Sequence, residues 1–201
     1  MQPELIVFDF DQCLWTPEMY TLSVIPSKDR VKLGPLGSCG HGIVGVHSGR
    51  EVIQLFPDAL KVLQEIYLDK YPGIKIAAAS SADTPMAVKI GKTAMSLLEI
   101  LPGVTMRDVF AKNWDDKFDG NIQIGRTPPL SSDKASTHFP ILRQLTGISY
   151  DKMLFFDDCQ WGDHCERVAN KCPGVIAIRT PNGLQWNEWE RGLAEYASRY
   201  S

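Results

Sequence analysis

The sequence lacks the features of several large classes of protein. Its 201 residues include five cysteines, an odd number without repeated spacing, which argues against a disulfide framework. No apolar run is long enough to cross a membrane, and the first residues lack the basic and apolar segments of a secretory leader. We therefore expect a reducing compartment, with the cytoplasm as the default, and no membrane partner.

A strong excess of one charge is also missing. The chain has 21 Lys and Arg against 24 Asp and Glu, a formal charge of −3, so a general nucleic-acid surface is not expected. With 44% hydrophobic and 22% charged residues, the composition is that of a soluble globular protein with a core. If such a protein binds an anion, it must concentrate positive charge locally, through a metal or a lysine.

Short apolar runs alternate with helical patterns along most of the chain. The runs are residues 5–8, 74–79, 153–156 and 175–178, and the helical patterns are residues 57–73, 86–101, 139–145, 163–172 and 184–196. Pro57 suits a first helical turn, Thr137 an N-cap and Gly147 a helix stop. The alternation predicts an α/β fold in three Rossmann-like layers, with a parallel sheet between helices.

Two stretches interrupt this alternation. Residues 20–56 contain strand-like pieces at 20–25, 42–47 and 51–56, with Ser48-Gly49 as a tight turn, and predict a small β-hairpin flap. Residues 106–132 are polar and rich in turns, with a short possible strand near 121–124. We expect one domain over residues 1–201, carrying the flap as an insertion.

Acidic residues close two of the apolar runs. The first run ends in Asp9-Phe10-Asp11 and the third in Asp157-Asp158. A turn or a helix cap would explain any one of these acids. Residues i and i+2 of a strand, however, face the same side, and ligands bind at the carboxyl ends of parallel strands. Buried carboxylates repel each other, and a cation with hard oxygen ligands relieves the conflict, so we expect a Mg²⁺ site.

A carboxylate beside Mg²⁺ is able to attack a phosphoryl group. Asp9 would form an aspartyl phosphate, which divides one difficult hydrolysis into two steps. Asp11, crowded by neighbouring charge, would hold a proton, give it to the leaving group and later take one from water. Ser80-Ser81, at the end of the second run, and Lys134, before the third helix, would bind the phosphate.

The strand ending in Asp-x-Asp, the strand ending in Ser, the Lys before a helix and the strand ending in two Asp follow one another along the chain. This ordered set resembles the pattern of the haloacid dehalogenase superfamily, and more closely that of its acid phosphatase-like branch of magnesium-dependent phosphatases. The matching segments are residues 5–11, Leu14-Trp15, 54–57, Ala77-Ala78-Ala79-Ser80, Lys134 with His138-Phe139, and 155–158. The resemblance implies Mg²⁺-dependent hydrolysis of phosphomonoesters, with protein phosphotyrosine or small sugar phosphates as substrates. It assigns the nucleophile to Asp9, the acid and base to Asp11, phosphate contacts to Ser80 and Lys134, and Mg²⁺ contacts to Asp9, Asp157, Asp158 and the Asp11 carbonyl.

The sequence differs from the pattern of this branch at three points, and three other functions are alternatives. Cys13 replaces a usual Thr, Ser81 stands where the branch often carries Arg, and Lys134 lies one residue further than usual from His138. A phospho-receiver domain also combines several Asp with a Ser or Thr and a Lys, but its phosphorylated Asp lies on a central strand, whereas here the first strand carries Asp-x-Asp. The second Asp of this motif enables turnover, because it supplies an acid and then a base. A dehalogenase does not need the Mg²⁺ site, so Asp11 and the Asp157-Asp158 pair argue against it. Intact Asp9 and Asp11 argue against a phosphate-binding relative that has lost activity.

Overall fold

The computed structural model describes residues 1–200. Its strands are β1 (Leu5–Phe8), β2 (Trp15–Thr16), β3 (Val31–Pro35), β4 (His41–Ser48), β5 (Glu51–Leu55), β6 (Lys75–Ser80), β7 (Glu99–Leu101), β8 (Val104–Thr105), β9 (Ile122–Ile124), β10 (Met153–Asp157) and β11 (Ile176–Arg179). Its α-helices are α1 (Pro57–Tyr67), α2 (Pro85–Leu97), α3 (Met106–Ala111), α4 (His138–Thr146), α5 (His164–Lys171) and α6 (Trp186–Arg199).

A five-stranded parallel sheet forms the centre of the fold. Its order is β11-β10-β1-β6-β9, so the first strand lies in the middle, where Phe8 is level with Phe156 on one side and Ala78 on the other. The expected contrast with a receiver domain, whose phosphorylated Asp also lies on a central strand, is therefore wrong as far as the position of the strand is concerned. Every residue of β1 and β10 is buried, as expected for strands covered on both faces. The four predicted apolar runs and the short strand near 121–124 all belong to this sheet.

Helices cover both faces of the sheet and give the predicted three layers. Alternate β1 residues divide between two apolar clusters: Phe8 packs with residues of α1, α2, α3 and α6, whereas Val7 packs with residues of α4 and α5. On the first face Phe8 stacks on Phe156 at 5.6 Å between ring centroids, and Trp189 of α6 stacks on Phe156 at 5.7 Å. No helix within residues 1–200 is long and apolar enough to span a membrane.

The insertion after β1 forms an antiparallel sheet of order β2-β5-β4-β3. The hairpin of β4 and β5 turns at Gly49, which has the positive φ of +64° that glycine adopts without strain, as predicted. The strand expected at residues 20–25 is wrong: a short 3₁₀ helix spans Met19–Thr21, and β3 is the third flap strand instead. The backbone of Val24 is held by the side chain of Ser48, outside any ladder.

Helix boundaries show where local sequence decides the fold. Pro57 begins α1 and Gly147, at φ +70°, ends α4, both as predicted. Thr137 stands at the N-cap of α4, but its side chain makes no capping bond. The helix predicted to reach residue 101 ends at Leu97, because Pro102-Gly103 turns β7 onto β8, and α3 was not predicted.

Candidate active site

Two carboxylates leave the central strand β1 through a tight loop. The backbone N–H of Asp9 donates to the carbonyl of Phe156 at 2.9 Å, which extends the pairing with β10 by one residue. The carbonyl of Phe10 then accepts N–H groups from Cys13, Leu14 and Trp15, which folds the chain back. Asp9 is nearly buried, with 6% of its surface exposed.

The acidic pair at the end of β10, Asp157 and Asp158, lies beside Asp9. Oxygen atoms of Asp9, Asp157 and Asp158 lie within 4.8 Å of one another, and all three residues are buried. The ammonium group of Lys134 lies 2.8 Å from Oδ1 of Asp9 and 2.6 Å from Oδ2 of Asp157. The structure therefore brings together four residues predicted from three separate sequence segments.

The cluster contains three carboxyl groups but one ammonium group, so it lacks positive charge. Burial raises the pKa of Asp9 well above its ordinary value, and Asp157 and Asp158 raise it further against the opposing effect of Lys134. Burial and Asp157 likewise raise the pKa of Asp158. Burial alone would lower the pKa of Lys134, but its two carboxylate partners outweigh that effect and raise it.

A divalent cation fits this donor set. Three carboxylates share one ammonium group, and their hard oxygen atoms are the ligands that Mg²⁺ binds. Among residues 1–200 this is the one group of three or more His, Cys, Asp or Glu side chains close enough to hold a metal ion. The residues present could thus hold Mg²⁺ through Asp9, Asp157 and Asp158.

Asp11 occupies different surroundings from Asp9. Its side chain accepts the indole N–H of Trp15 at 2.7 Å and the backbone N–H of Met19 at 2.8 Å, so its carboxylate is held apart from the three-carboxylate cluster. Burial raises the pKa of Asp11 to about 7, against the effect of these two bonds. Desolvation is thus the main cause, and repulsion from Glu18 is a smaller one, whereas the sequence suggested crowding by charge.

Ser80 is the last residue of β6, on the other side of β1 from β10, and Ser81 follows it. Both line the same cavity as Asp9, and Ser80 is buried whereas Ser81 is partly exposed. The carbonyl of Ser80 accepts the N–H of Gly125 at 2.9 Å and lies 3.2 Å from Nε2 of His138. Because a carbonyl only accepts, Nε2 of His138 carries the proton, and this bond fixes the end of β6 against α4.

The cavity at these strand ends has a volume of about 400 Å³. All the predicted side chains except Asp157 line it, and Asp157 is fully buried and forms an ion pair with Lys134. The lining residues that the sequence analysis did not select are Glu18, Tyr20, Ala82, Asp83, Arg126, Ser132, Trp161 and His164. Arg126 is the second residue after β9, so the rule applied to the longer apolar runs would have found it if residues 121–124 had been treated in the same way.

The Cys13 thiol helps to hold the loop after β1 against β10. Its thiol is buried and donates to the carbonyl of Phe156 at 3.6 Å, which ties the loop to β10 as a hydroxyl group would, although more weakly. Burial raises the pKa of Cys13, so the group stays a protonated thiol at neutral pH. All five cysteines are unpaired.

Taken together, the parallel sheet, the Asp-x-Asp end of its first strand, the lysine and the acidic pair define a domain of the haloacid dehalogenase class. Within that class, the sequence pattern of the acid phosphatase family matches residues 1–199, and the chain belongs to this family.

Individual proteins similar to the chain include one human protein and one bacterial protein of known structure. Magnesium-dependent phosphatase 1 of Homo sapiens is 27% identical over 195 residues, an alignment that covers 97% of this chain and 88% of the human protein. The second is a crystal structure of the N-terminal part of a Bacteroides fragilis protein, containing a phosphatase domain complexed with Mg. It matches 98% of this chain with a TM-score of 0.50 and 16% identity. This chain spans 39% of that structure's length, and the likeness supports the fold.

Proposed function

We propose that this protein is a Mg²⁺-dependent phosphomonoester hydrolase that works through an aspartyl phosphate on Asp9. The observation that carries the proposal is the cluster of Asp9, Asp157 and Asp158 around Lys134, at the carboxyl ends of adjacent parallel strands. Membership of the acid phosphatase family and likeness to a phosphatase named for its dependence on magnesium support it.

Each side chain of the site has a role in the proposed reaction that follows from its position. Mg²⁺, held by Asp9, Asp157, Asp158 and the Asp11 carbonyl, would supply charge neutralisation between two anions. One oxygen of Asp9 attacks phosphorus while Lys134 holds the other in place. Two carboxylates take up two of the three ammonium N–H groups of Lys134, which leaves the third for a phosphoryl oxygen. Ser80 and Ser81 bind other phosphoryl oxygens.

Asp11 serves as the acid and then as the base. The bonds from Trp15 and Met19 hold its carboxyl at the cavity wall, apart from the nucleophile. In its protonated form it gives the proton to the departing oxygen as the phosphorus–oxygen bond breaks. The resulting carboxylate then takes a proton from the water that attacks the aspartyl phosphate. Two carboxylates with separate environments thereby perform separate steps.

The rim of the cavity favours an aryl phosphate, such as protein phosphotyrosine, over a small sugar phosphate. Trp161 is 69% exposed and Tyr20 is 46% exposed, although both are large aromatic side chains. Their rings meet edge to face at 6.0 Å between centroids, and the indole N–H of Trp161 donates to Glu18 at 3.0 Å. A fixed aromatic surface beside the nucleophile would stack on a planar leaving group.

Turnover with and without metal tests the proposal. Purified protein should hydrolyse phenyl phosphate and phosphotyrosine peptides with Mg²⁺ and stop when the metal is chelated. Asp9→Asn should lower turnover to the assay background with the fold intact, and the matched exposed variant Asp116→Asn should remain fully active. Retention of most activity by Asp9→Asn would show that the mechanism is wrong. A stable, stoichiometric aspartyl phosphate without turnover would instead identify a receiver domain.

A substrate panel tests the finer part of the proposal. Trp161→Ala should raise the KM for phenyl phosphate about 3- to 10-fold, the value of one aromatic contact, with little change for a sugar phosphate. Better turnover of sugar phosphates than of aryl phosphates by the unmodified protein would reverse the assignment. We also propose that residues 1–201 form one domain with residues 20–56 as its flap, and that the protein acts in the cytoplasm, where its free thiols stay reduced.

A further inference from the structure

The cavity contains two permanently cationic side chains, and they differ in how far they are committed to protein groups. Lys134 is 1% exposed, and two carboxylates bind its ammonium group. Arg126 is exposed at the cavity wall, and among residues 1–200 no carboxylate forms an ion pair with it. Even Asp83, which lines the same cavity, leaves it unpaired.

Arg126 is nevertheless held in a defined position. Its Nε–H donates to the carbonyl of Ser81 at 2.7 Å, across the end of β6. Gly125, at φ +130°, donates its N–H to the carbonyl of Ser80, so the chain leaving β9 bends over the end of β6. A side chain at Gly125 would require a strained backbone and would lie 3.2 Å from Val88. The turn thus places the guanidinium group beside both serines.

The N–H groups of Arg126 that bind no protein group indicate what kind of ligand it would bind. A guanidinium group carries five N–H donors, and the bond to Ser81 takes up one of them. The four N–H groups on the two Nη atoms remain, in a planar arrangement that matches two oxygen atoms of a phosphoryl group. Apart from Lys134, whose ammonium group already binds two carboxylates, the charged lining of the cavity around Arg126 is acidic, with Asp9, Asp11, Glu18, Asp83 and Asp158, so a dianionic ligand needs the charge of Arg126.

We infer that Arg126 is a substrate-binding residue that donates to the phosphoryl oxygens from the β9 side of the cavity, while Ser80 and Ser81 bind beside it. This inference rests on the proposed function for the identity of the anion. It predicts that Arg126 contributes equally to every phosphomonoester, whatever its leaving group, because it contacts the part that all of them share.

The first test measures binding without turnover. The dissociation constant of inorganic phosphate, in the presence of Mg²⁺, should rise about 10- to 100-fold in Arg126→Gln, the usual effect of one charge-assisted contact. The dissociation constant should rise less in Arg126→Lys, which keeps the positive charge but loses the paired N–H donors of the guanidinium group. It should stay unchanged in the control variant Arg107→Gln, because Arg107 is an exposed residue on α3. Unchanged phosphate binding by a folded Arg126→Gln protein would overturn the inference.

The second test uses the unmodified protein and therefore does not depend on the folding of a variant. Phenylglyoxal modifies exposed arginines, and inorganic phosphate with Mg²⁺ should protect Arg126 but not Arg107, as read by peptide mass spectrometry. Equal modification of Arg126 with and without phosphate would contradict the inference. If phosphate binds through Arg126 but no phosphomonoester is turned over, the proposed function fails while the inference stands.

Turnover then separates contact with the phosphoryl group from contact with the leaving group. Arg126→Gln should lower kcat/KM by similar factors for phenyl phosphate and for a sugar phosphate, mainly through KM. If kcat/KM falls only for substrates that carry a second anionic group, Arg126 contacts the leaving group. That result would overturn the assignment to the phosphoryl group.

Discussion

Asp9 and Asp11 are two residues apart at the end of one strand, yet their carboxyl groups meet different partners. Asp9 lies against an ammonium group and two further carboxylates, whereas Asp11 accepts two N–H groups from the loop that follows. The first arrangement suits a carboxylate that attacks, and the second a carboxyl group that exchanges a proton near neutral pH.

Replacement of Asp11 by Asn tests this division. The variant cannot donate and recover the proton, so kcat should fall about 10²- to 10⁴-fold with little change in KM. The fold should survive, because the amide keeps one of the two bonds from Trp15 and Met19, and the loss of the other costs about 1 kcal/mol.

Leaving groups provide the control for that experiment. Aryl phosphates with acidic phenols need little help from an acid, so Asp11→Asn should lose less activity on them than on phenyl phosphate. An equal loss across the series would indicate that Asp11 only supports the loop, and would contradict its role as the acid.

The sequence predicted most of the residues in this cluster, because each ends or follows a buried strand, or precedes a helix, that the apolar pattern reveals. Asp9 and Asp157 are examples, since β1 and β10 have four or more buried residues in a row. Arg126 follows a strand of three residues, too short for its pattern to stand out. Trp161 and Tyr20 were not selected either, because their meeting depends on the path of two loops.

At the scale of elements, the contact between β6 and α4 joins Ser80, one of the two serines proposed to bind phosphate, to the core. His138, at the start of α4, is buried, and its ring nitrogen donates to the carbonyl of Ser80. Burial lowers the pKa of His138 to about 4, and the nearby charges of Lys134 and His164 lower it further, against the hydrogen bonds to the backbone of Ser80 and Gly125. The imidazole is thus neutral in the folded protein.

This burial predicts a dependence of stability on pH. A histidine with a folded pKa of about 4 and an ordinary pKa of 6.5 is protonated more readily in the unfolded chain. As the pH falls from 6.5 to 4, its contribution to the free energy of unfolding should therefore decrease by about 3 kcal/mol. His138→Gln keeps a donor for Ser80 and lacks this titration.

Denaturant unfolding at pH 7 and pH 4.5 measures the effect. Unmodified protein should lose ~2–3 kcal/mol more than His138→Gln over this range. The exposed His41→Gln should parallel the unmodified protein. Parallel losses in all three proteins would show that folding does not lower the pKa of His138.

Elements without a buried strand were predicted less well. Residues 20–25 have strand-like composition, but no neighbouring strand is available to them, and Ser48 holds Val24 instead. The end of α2 was misplaced because the apolar spacing continues into β7, where Glu99 binds the backbone N–H groups of Ile43 and Gly103. These choices depend on contacts far along the chain, which a local pattern does not contain.

At the scale of the whole molecule, the site opposes the stability of the metal-free protein. Three buried carboxylates share one ammonium group, so their repulsion is present whenever Mg²⁺ is absent. Mg²⁺ at 100 times its dissociation constant should add about 2.7 kcal/mol to the free energy of unfolding and raise Tm by roughly 5–10 °C.

Asp158→Asn should separate the two effects. Removal of one negative charge should raise the Tm of the metal-free protein, while the rise on addition of Mg²⁺ should become smaller. The amide oxygen can still accept the N–H of Gln160, so the loop is kept. A lower Tm without metal, together with an unchanged response to Mg²⁺, would place the metal elsewhere.

Capture of phosphorus by Asp9 is tested most directly by trapping the covalent species. Protein turning over phenyl phosphate with Mg²⁺ is quenched rapidly in acid and reduced with borohydride, which converts an aspartyl phosphate to homoserine. Peptide mass spectrometry should find homoserine at position 9, and none when metal or substrate is omitted. Homoserine at another aspartate, or its absence from position 9 while turnover continues, would contradict the account.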